Sequence, residues 1–404
     1  MTRTIAVLSL SCAVLLGACA AHVPPVPMDA FEAGDFARIE GFFQQQIDHG
    51  DGNSRALFLN GLAQAELLSG DHDAARRDFA EAGRIMGNWY TSGGETTAAI
   101  VGEEGSKTWK GDPHERAMNA FYLGVLYWWK GEPDNARAAF KAGILADAES
   151  DEGEAQVDFA LLYWLAGRAS LEMGLRGDAE QFFEEARKAR EFAVKNGARG
   201  ASSAPILTDP SHGNLIVLAE LGLGPRKVPS GEYEELAVIE PHPVTFDRAE
   251  VFVDGESQGH TTLLADLDYQ ARTRGGHEMA GIRKGKAVFK DVTGNLGALI
   301  LLEGANDRGR GQRDKLIVGG ALLLASLLTR PDADVRFWET LPQTVHALTA
   351  DVAPGRHEVR IVFSGPGRPS GLEQTWQVDV QDHRDTVLLF RSLPIAGPAP
   401  APRT

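Results

Sequence analysis

Apolar residues recur at intervals of three and four from Asp29 to about Asn196, and at intervals of two after about residue 205. The first spacing places them on one face of a helix, and the second on one face of a strand. "NAFYLGVLYWWKGEPDNARAAFKAG", residues 119 to 143, shows the helical pattern most densely. It predicts two helices broken at Lys130-Gly131. Val359, Ile361 and Phe363, and then Trp376, Val378 and Val380, show the alternation. They predict half-buried antiparallel strands. "AEVFVDGESQGHTTL", Ala249 to Leu263, reads as a hairpin around Asp254-Gly255. The pattern therefore predicts an α+β chain: helices over 29–198, then a β-rich domain over 205–392.

The helical half repeats. Gly70, Ala75, Phe79 and Ala82 recur as Gly131, Ala136, Phe140 and Gly143, and again as Gly174, Ala179, Phe183 and Ala186. Leu62-Ala63, Leu123-Gly124 and Ala166-Gly167 lie upstream of them. "GDFARIEGFF", Gly34 to Phe43, reads as the end of a degenerate leading unit. These positions resemble the tetratricopeptide repeat, in which antiparallel helix pairs stack into a solenoid. Ile39, Ala75, Ala136 and Ala179 are 36, 61 and 43 residues apart, not the roughly 34 of a regular array. An insertion over 87–115 accounts for the longest gap. It carries Trp89, Tyr90 and Trp109. Its "GEEGSK" lacks phosphate-loop spacing and sets two carboxylates where a phosphate would sit.

The resemblance implies a concave face. On it would lie Met118, Phe121, Val125, Trp128 and Trp129 of one unit, with Trp164 and Arg168 of the next. Gln64 and Glu172 would add polar groups, while Leu123, Gly124 and Tyr127 would pack the helix pair. An apolar face of this kind marks an interaction site, unless the chain covers it with its own insertion or C-terminal domain.

Within the β-rich half, "VFVDG" and "PGRHEVRI" with a final hairpin resemble a small β-sandwich of the PEGA type. Such modules usually bind or space other domains. A helical insertion is expected at about 264–332, and a disordered tail over 393–404. Leu316 to Leu328 are uncharged but too few to span a bilayer. They suit a buried helix or an interfacial one. "DVRFWETLPQTV" is expected to contain a strand that ends near Leu341-Pro342.

The N-terminus adds an address. Arg3 precedes an apolar run from Ile5 to Leu16, followed by Leu16-Gly17-Ala18-Cys19. The run is a secretory signal over 1–18, and its end resembles a bacterial lipobox. The resemblance implies acylation at Cys19 and, with Ala20 next, an outer-membrane location facing the periplasm. Pro24, Pro25 and Pro27 predict a stiff tether over 19–28. The two cysteines are Cys12 and Cys19. A mature chain with a lipidated Cys19 has no thiol for a disulfide, a nucleophile or a zinc-thiolate site.

Composition excludes little but agrees. The chain is 43% hydrophobic and 24% charged, as folded proteins are. Loss of Arg3 takes the formal charge from −16 to −17. That disfavours nucleic acid as a partner. The histidines show no H-E-x-x-H spacing and no G-x-S-x-G is present. No catalytic residue, metal site or cofactor is expected. "W-K-G…E", "N-A-F-Y", "G-N-L-I-V-L-A-E-L-G-L-G-P-R-K" and "A-D-V-R-F-W-E-T-L-P" occur in an order that resembles a family of uncharacterised bacterial tetratricopeptide lipoproteins. Glu103-Glu104 stands where that family often has Asn-Asp. The expected function is a lipid-anchored scaffold that binds an envelope protein partner through the aromatic groove. The alternative is a glycan- or lipid-binding protein or hydrolase that uses Trp89, Trp109 and Glu103 over the groove.

Overall fold

A computed structural model describes residues 23–87, 108–148, 158–230, 236–274, 277–278 and 334–393. It contains both helices and sheets. Helices α1 (Met28–Ala33) and α2 (Phe36–His49) lead into three helix pairs. The pairs are α3 (Arg55–Ser69) with α4 (His72–Gly87), α5 (Pro113–Trp129) with α6 (Pro133–Ala148), and α7 (Ala160–Glu172) with α8 (Arg176–Lys195). Each pair turns on a glycine: Gly70 at φ 96°, Gly131 at 77° and Gly174 at 75°. Only glycine adopts this left-handed conformation freely, so these residues end the first helix of each pair.

Close packing explains the small residues. A Cβ on Gly124 would sit 2.3 Å from the Phe140 ring, and one on Gly167 would sit 2.4 Å from that of Phe183. Gly61 of α3 receives Phe43 of α2 in the same way, at 2.2 Å. In the first pair Phe79 instead stacks on Tyr122 of the next, with centroids 5.2 Å apart and planes at 13°.

After the short α9 (Pro205–Thr208) the chain becomes strands. The first sheet holds β1 (Leu215–Leu221), β6 (Thr262–Asp266), β9 (Thr344–Ala350) and β12 (Thr386–Arg391), ordered β12-β1-β9-β6. The second holds β4 (Arg248–Val253), β5 (Glu256–His260), β10 (Gly355–Gly365) and β11 (Arg368–Val380), ordered β11-β10-β4-β5. Two small ribbons remain: β2 (Arg226–Ser230) with β3 (Leu236–Glu240), and β7 (Thr273–Arg274) with β8 (His277–Glu278). Helix α10 (Leu267–Arg272) follows β6.

The β4–β5 turn has Asp254 at φ 50° and Gly255 at φ 85°. Both central residues are left-handed, as a type I′ hairpin requires. Asp254 is held there by the Glu358 amide, 2.9 Å away, and by His357, 2.6 Å away.

Three layers result. Val251, Val359, Ile361, Trp376 and Val378 of the second sheet share an apolar cluster with Leu215, Val217, Leu348, Leu388 and Phe390 of the first. The opposite face of the first sheet, with Ile216, Leu218, Val387 and Leu389, joins the cluster built by the helices. Strands β1 and β12 are buried along their whole length, pair in parallel, and read as mostly apolar runs that each hold one charge, Glu220 and Arg391. They are the middle layer.

Two sequence expectations change. Leu264 to Asp266 belong to strand β6, so the expected helical insertion cannot begin there; residues 279–333, with Leu316 to Leu328, lie outside the described residues. The stretch around Trp338 is not a strand. Its polar groups bond side chains of the helical half, which leaves no ladder for a strand to join. Among the described residues, no helix is long and apolar enough to cross a membrane.

Candidate functional site

The aromatic face is built mainly on α5. Asp112 and Glu115 form a capping box around Pro113 and start the helix. From there the helical period sets Met118, Phe121, Val125, Trp128 and Trp129 toward the centre of the molecule. Helix α7 adds Trp164 and Arg168. All seven are buried; Trp129, the most exposed of them, retains 6% of its surface. The structure brings these residues together, but their partner is this chain. Strands β1 and β12 and the segment around Trp338 lie on the face.

Polar atoms tie the two halves across this seam. Trp129 Nε1 donates to the Val387 carbonyl at 2.8 Å. Arg168 makes a two-pronged pair with Asp385, at 2.6 and 3.0 Å, and also donates to the carbonyls of His212 and Gly213 at 2.9 and 2.6 Å. Tyr122 donates to Glu220 at 2.5 Å and accepts from Gln64 at 2.9 Å. Trp338 Nε1 donates to Gln64 at 3.0 Å, and Arg391 pairs with Glu220 at 3.2 Å. Trp128 Nε1 stays within the helices, donating to Glu172 at 2.5 Å.

Burial pushes the Glu220 carboxyl upward, against the pull of Arg391 and Tyr122. Burial, with Glu220 beside it, raises the Tyr122 phenol well above its ordinary value. These shifts come from dry packing. The groups bond one another across the seam, although Arg391 Nε stays without a partner.

The insertion residues divide. Trp109 is 3% exposed and its amide donates to the Asn53 carbonyl at 2.7 Å. It is a core residue. Trp89 and Tyr90 lie outside the described residues, as does Cys19. Beyond Trp109, Glu115 accepts from the Trp338 amide at 2.7 Å and from the Asp112 amide at 2.6 Å, with Lys227 closing on Asp112 at 2.8 Å. Burial raises Glu115 to about 7, Lys227 lowers it and Asp112 raises it further. "WKGDPHE" and "DVRFWETLP" are thus the two sides of one joint.

Leu123 and Tyr127, expected inside the helix pair, are only half-buried, whereas the residues expected on an open face are the dry ones. The second half of the chain supplies the difference. Sequence reading did not identify Tyr122, Glu220, Asp385 or Arg391 as part of the seam. The signal was present for two of them. "LIVLAEL" and "TVLLFRS" each hold one charge in an apolar strand, and a charge so placed calls for a buried partner.

An open cleft of about 610 Å³ lies elsewhere, at the end of the last helix pair. Arg176, Glu180, Phe183 and Arg187 of α8 form one wall, with Leu171, Pro210 and Ser211 around them. Beside it Met173 and Leu175 are exposed at 37% and 39%. Among the described residues no group of three side chains suited to a metal ion occurs.

No protein-family model matches the chain. No curated protein matches it either. Among solved structures, one titled "Crystal structure of MamA" is 19% identical, over 43% of this chain and 99% of that one, with a TM-score of 0.23. A second, "Crystal structure of MamA protein", is 20% identical, over 44% and 94% of the two chains, with the same TM-score of 0.23.

Proposed function

We propose that this chain is a non-enzymatic scaffold of tetratricopeptide type, anchored by lipid at Cys19 on the periplasmic face of the outer membrane. Its work is to hold a protein partner of the cell envelope. The observation that carries this reading is the covered aromatic face. The helical half spends its groove on the β-rich half, and the residues of that face are buried in the seam. The two stacked sheets are read as a β-sandwich of the PEGA kind, clamped in place by the helices.

A partner then docks outside the groove. The end of the last pair is the surface best suited, because Met173 and Leu175 are exposed there beside the cleft of Arg176 and Arg187. Protein interfaces favour such apolar anchors with arginine near them. The glycan or lipid alternative loses Trp109, which is committed to the core.

Photo-crosslinking residues at Leu175 and at Trp128, tried separately in cells, test the proposal. An adduct with another envelope protein from Leu175, and none from Trp128, is the expected outcome. A partner adduct from Trp128 would return the groove to an open site and overturn the reading.

A further inference from the structure

We propose that Val23–Pro27 is a docked strut, and that it holds the α2 end of the helical half against the bilayer to which Cys19 is joined. The inference rests on the reading of Cys19 as the acylated residue and adds an orientation to it.

Three prolines in four residues would by themselves make a free spacer. The structure puts the segment to another use. Val23 and Val26 pack, half-buried, on the cluster that contains Phe31, Phe43 and Phe58. Against Phe337 and Trp338 they close a cavity of about 10 Å³, at most the space for one water. The Val26 backbone lies beside the Glu339 carboxyl and pulls it down, against the burial that raises it to about 7. Pro27 then enters α1 directly, its carbonyl accepting from Ala30 and Phe31 at 2.9 and 3.2 Å. From Val23 onward the chain is therefore part of the folded body.

Covalent reach does the rest. Four residue steps separate Val23 from Cys19, and a fully extended chain covers at most about 14 Å in four steps. Val23 thus stays within that distance of the acylated residue, and Phe42 and Phe43 of α2 stay beside it. Leu393 packs in the same cluster, so the end of β12 emerges at this end too. Gln374 of β11 donates to the Leu393 carbonyl at 2.6 Å, so one edge of the second sheet reaches this end, while β5 is the opposite edge, three strand spacings of about 4.8 Å away. The chain is net acidic, so attraction to anionic lipid is not needed; the length of the chain sets the orientation.

The test supplies the lipid chemically. In the chain from residue 19 onward Cys19 is the one thiol, so a maleimide lipid in phosphatidylcholine vesicles couples there alone. A donor dye is placed at Gln45, exposed one turn from Phe42, or at Gln258, exposed on the edge strand β5, through a non-natural residue. Energy transfer to a rhodamine lipid should be stronger from Gln45. A Gly/Ser spacer of about 20 residues between His22 and Val23, with a reach of about 25 Å, should abolish the difference. Equal transfer from the two sites without the spacer would overturn the strut. Native acylation is read separately, from the mass of the protein extracted from membranes. Its absence would sink the lipid reading without touching this result.

Discussion

Arg168 shows how a side chain changes meaning between sequence and structure. At the level of spacing it is a cation on a concave face. In the fold it is 2% exposed and clamps Asp385 to the linker carbonyls before β1. Removing one member of such a pair strands the other in a dry site. Arg168→Leu should cost about 3–5 kcal/mol in urea unfolding. Adding Asp385→Leu should recover part of that loss, because no unpaired charge then remains. A double variant as unstable as the sum of the two singles would show that the pair does not act as a unit.

A second residue-scale prediction concerns pH. Asp147, at the end of α6, is pushed up to about 8 by burial and by Asp158, whose amide donates to it at 3.2 Å. Asp158 is raised by burial and bonded by Tyr269 and Gln270 of α10 at 2.7 Å each. An acid raised in the folded state binds more protons there than when unfolded. Stability should therefore fall as pH rises from about 4 to about 8. Glu66, raised to about 8, and Glu115, raised to about 7, act in the same direction. Asp147→Asn keeps an acceptor oxygen and removes one titration. Its melting temperature should exceed that of the parent more at pH 8 than at pH 5. An equal difference at both pH values would contradict the assignment.

At the scale of elements, much of the helical half was legible. The turn glycines ended the helices where expected, whereas the recurring phenylalanine reaches the next pair only at Phe79; Phe140 and Phe183 pack on the small residue of their own pair. The two kinds of glycine should separate in unfolding experiments. Gly124→Ala forces a methyl to 2.3 Å from Phe140 and should destabilise by about 1–3 kcal/mol. Gly41→Ala, on α2 with nothing within 4 Å of the new methyl, should stabilise by about 0.5–1 kcal/mol. Similar signs for the two would show that helix propensity, not packing, governs these sites. Strands β10 and β11 were legible for an equally local reason. One face is wet, so Val359, Ile361 and Phe363 alternate with more exposed neighbours. Strands β1 and β12 have no wet face and no alternation, and read only as short apolar β-like runs. Their parallel pairing joins residues far apart in the chain, and local patterning does not encode that.

For the whole molecule, the open question in the sequence was what lies on the aromatic face. The residues of that face were correctly grouped by spacing, but spacing carries no information about a layer supplied by the other half of the chain. Three facts now join: β1 and β12 are buried on both faces, Trp129 donates to Val387, and Glu220 and Arg391 meet Tyr122 in the seam. The helices and the first sheet therefore share one core, and the groove is an internal interface. The most direct test replaces Trp129 with benzoylphenylalanine in the purified full-length protein and maps the photoproduct by mass spectrometry. An intramolecular link from position 129 to the segment around Asp385 to Leu389 is the predicted result. Reaction at position 129 only with water or with other molecules would contradict the central claim.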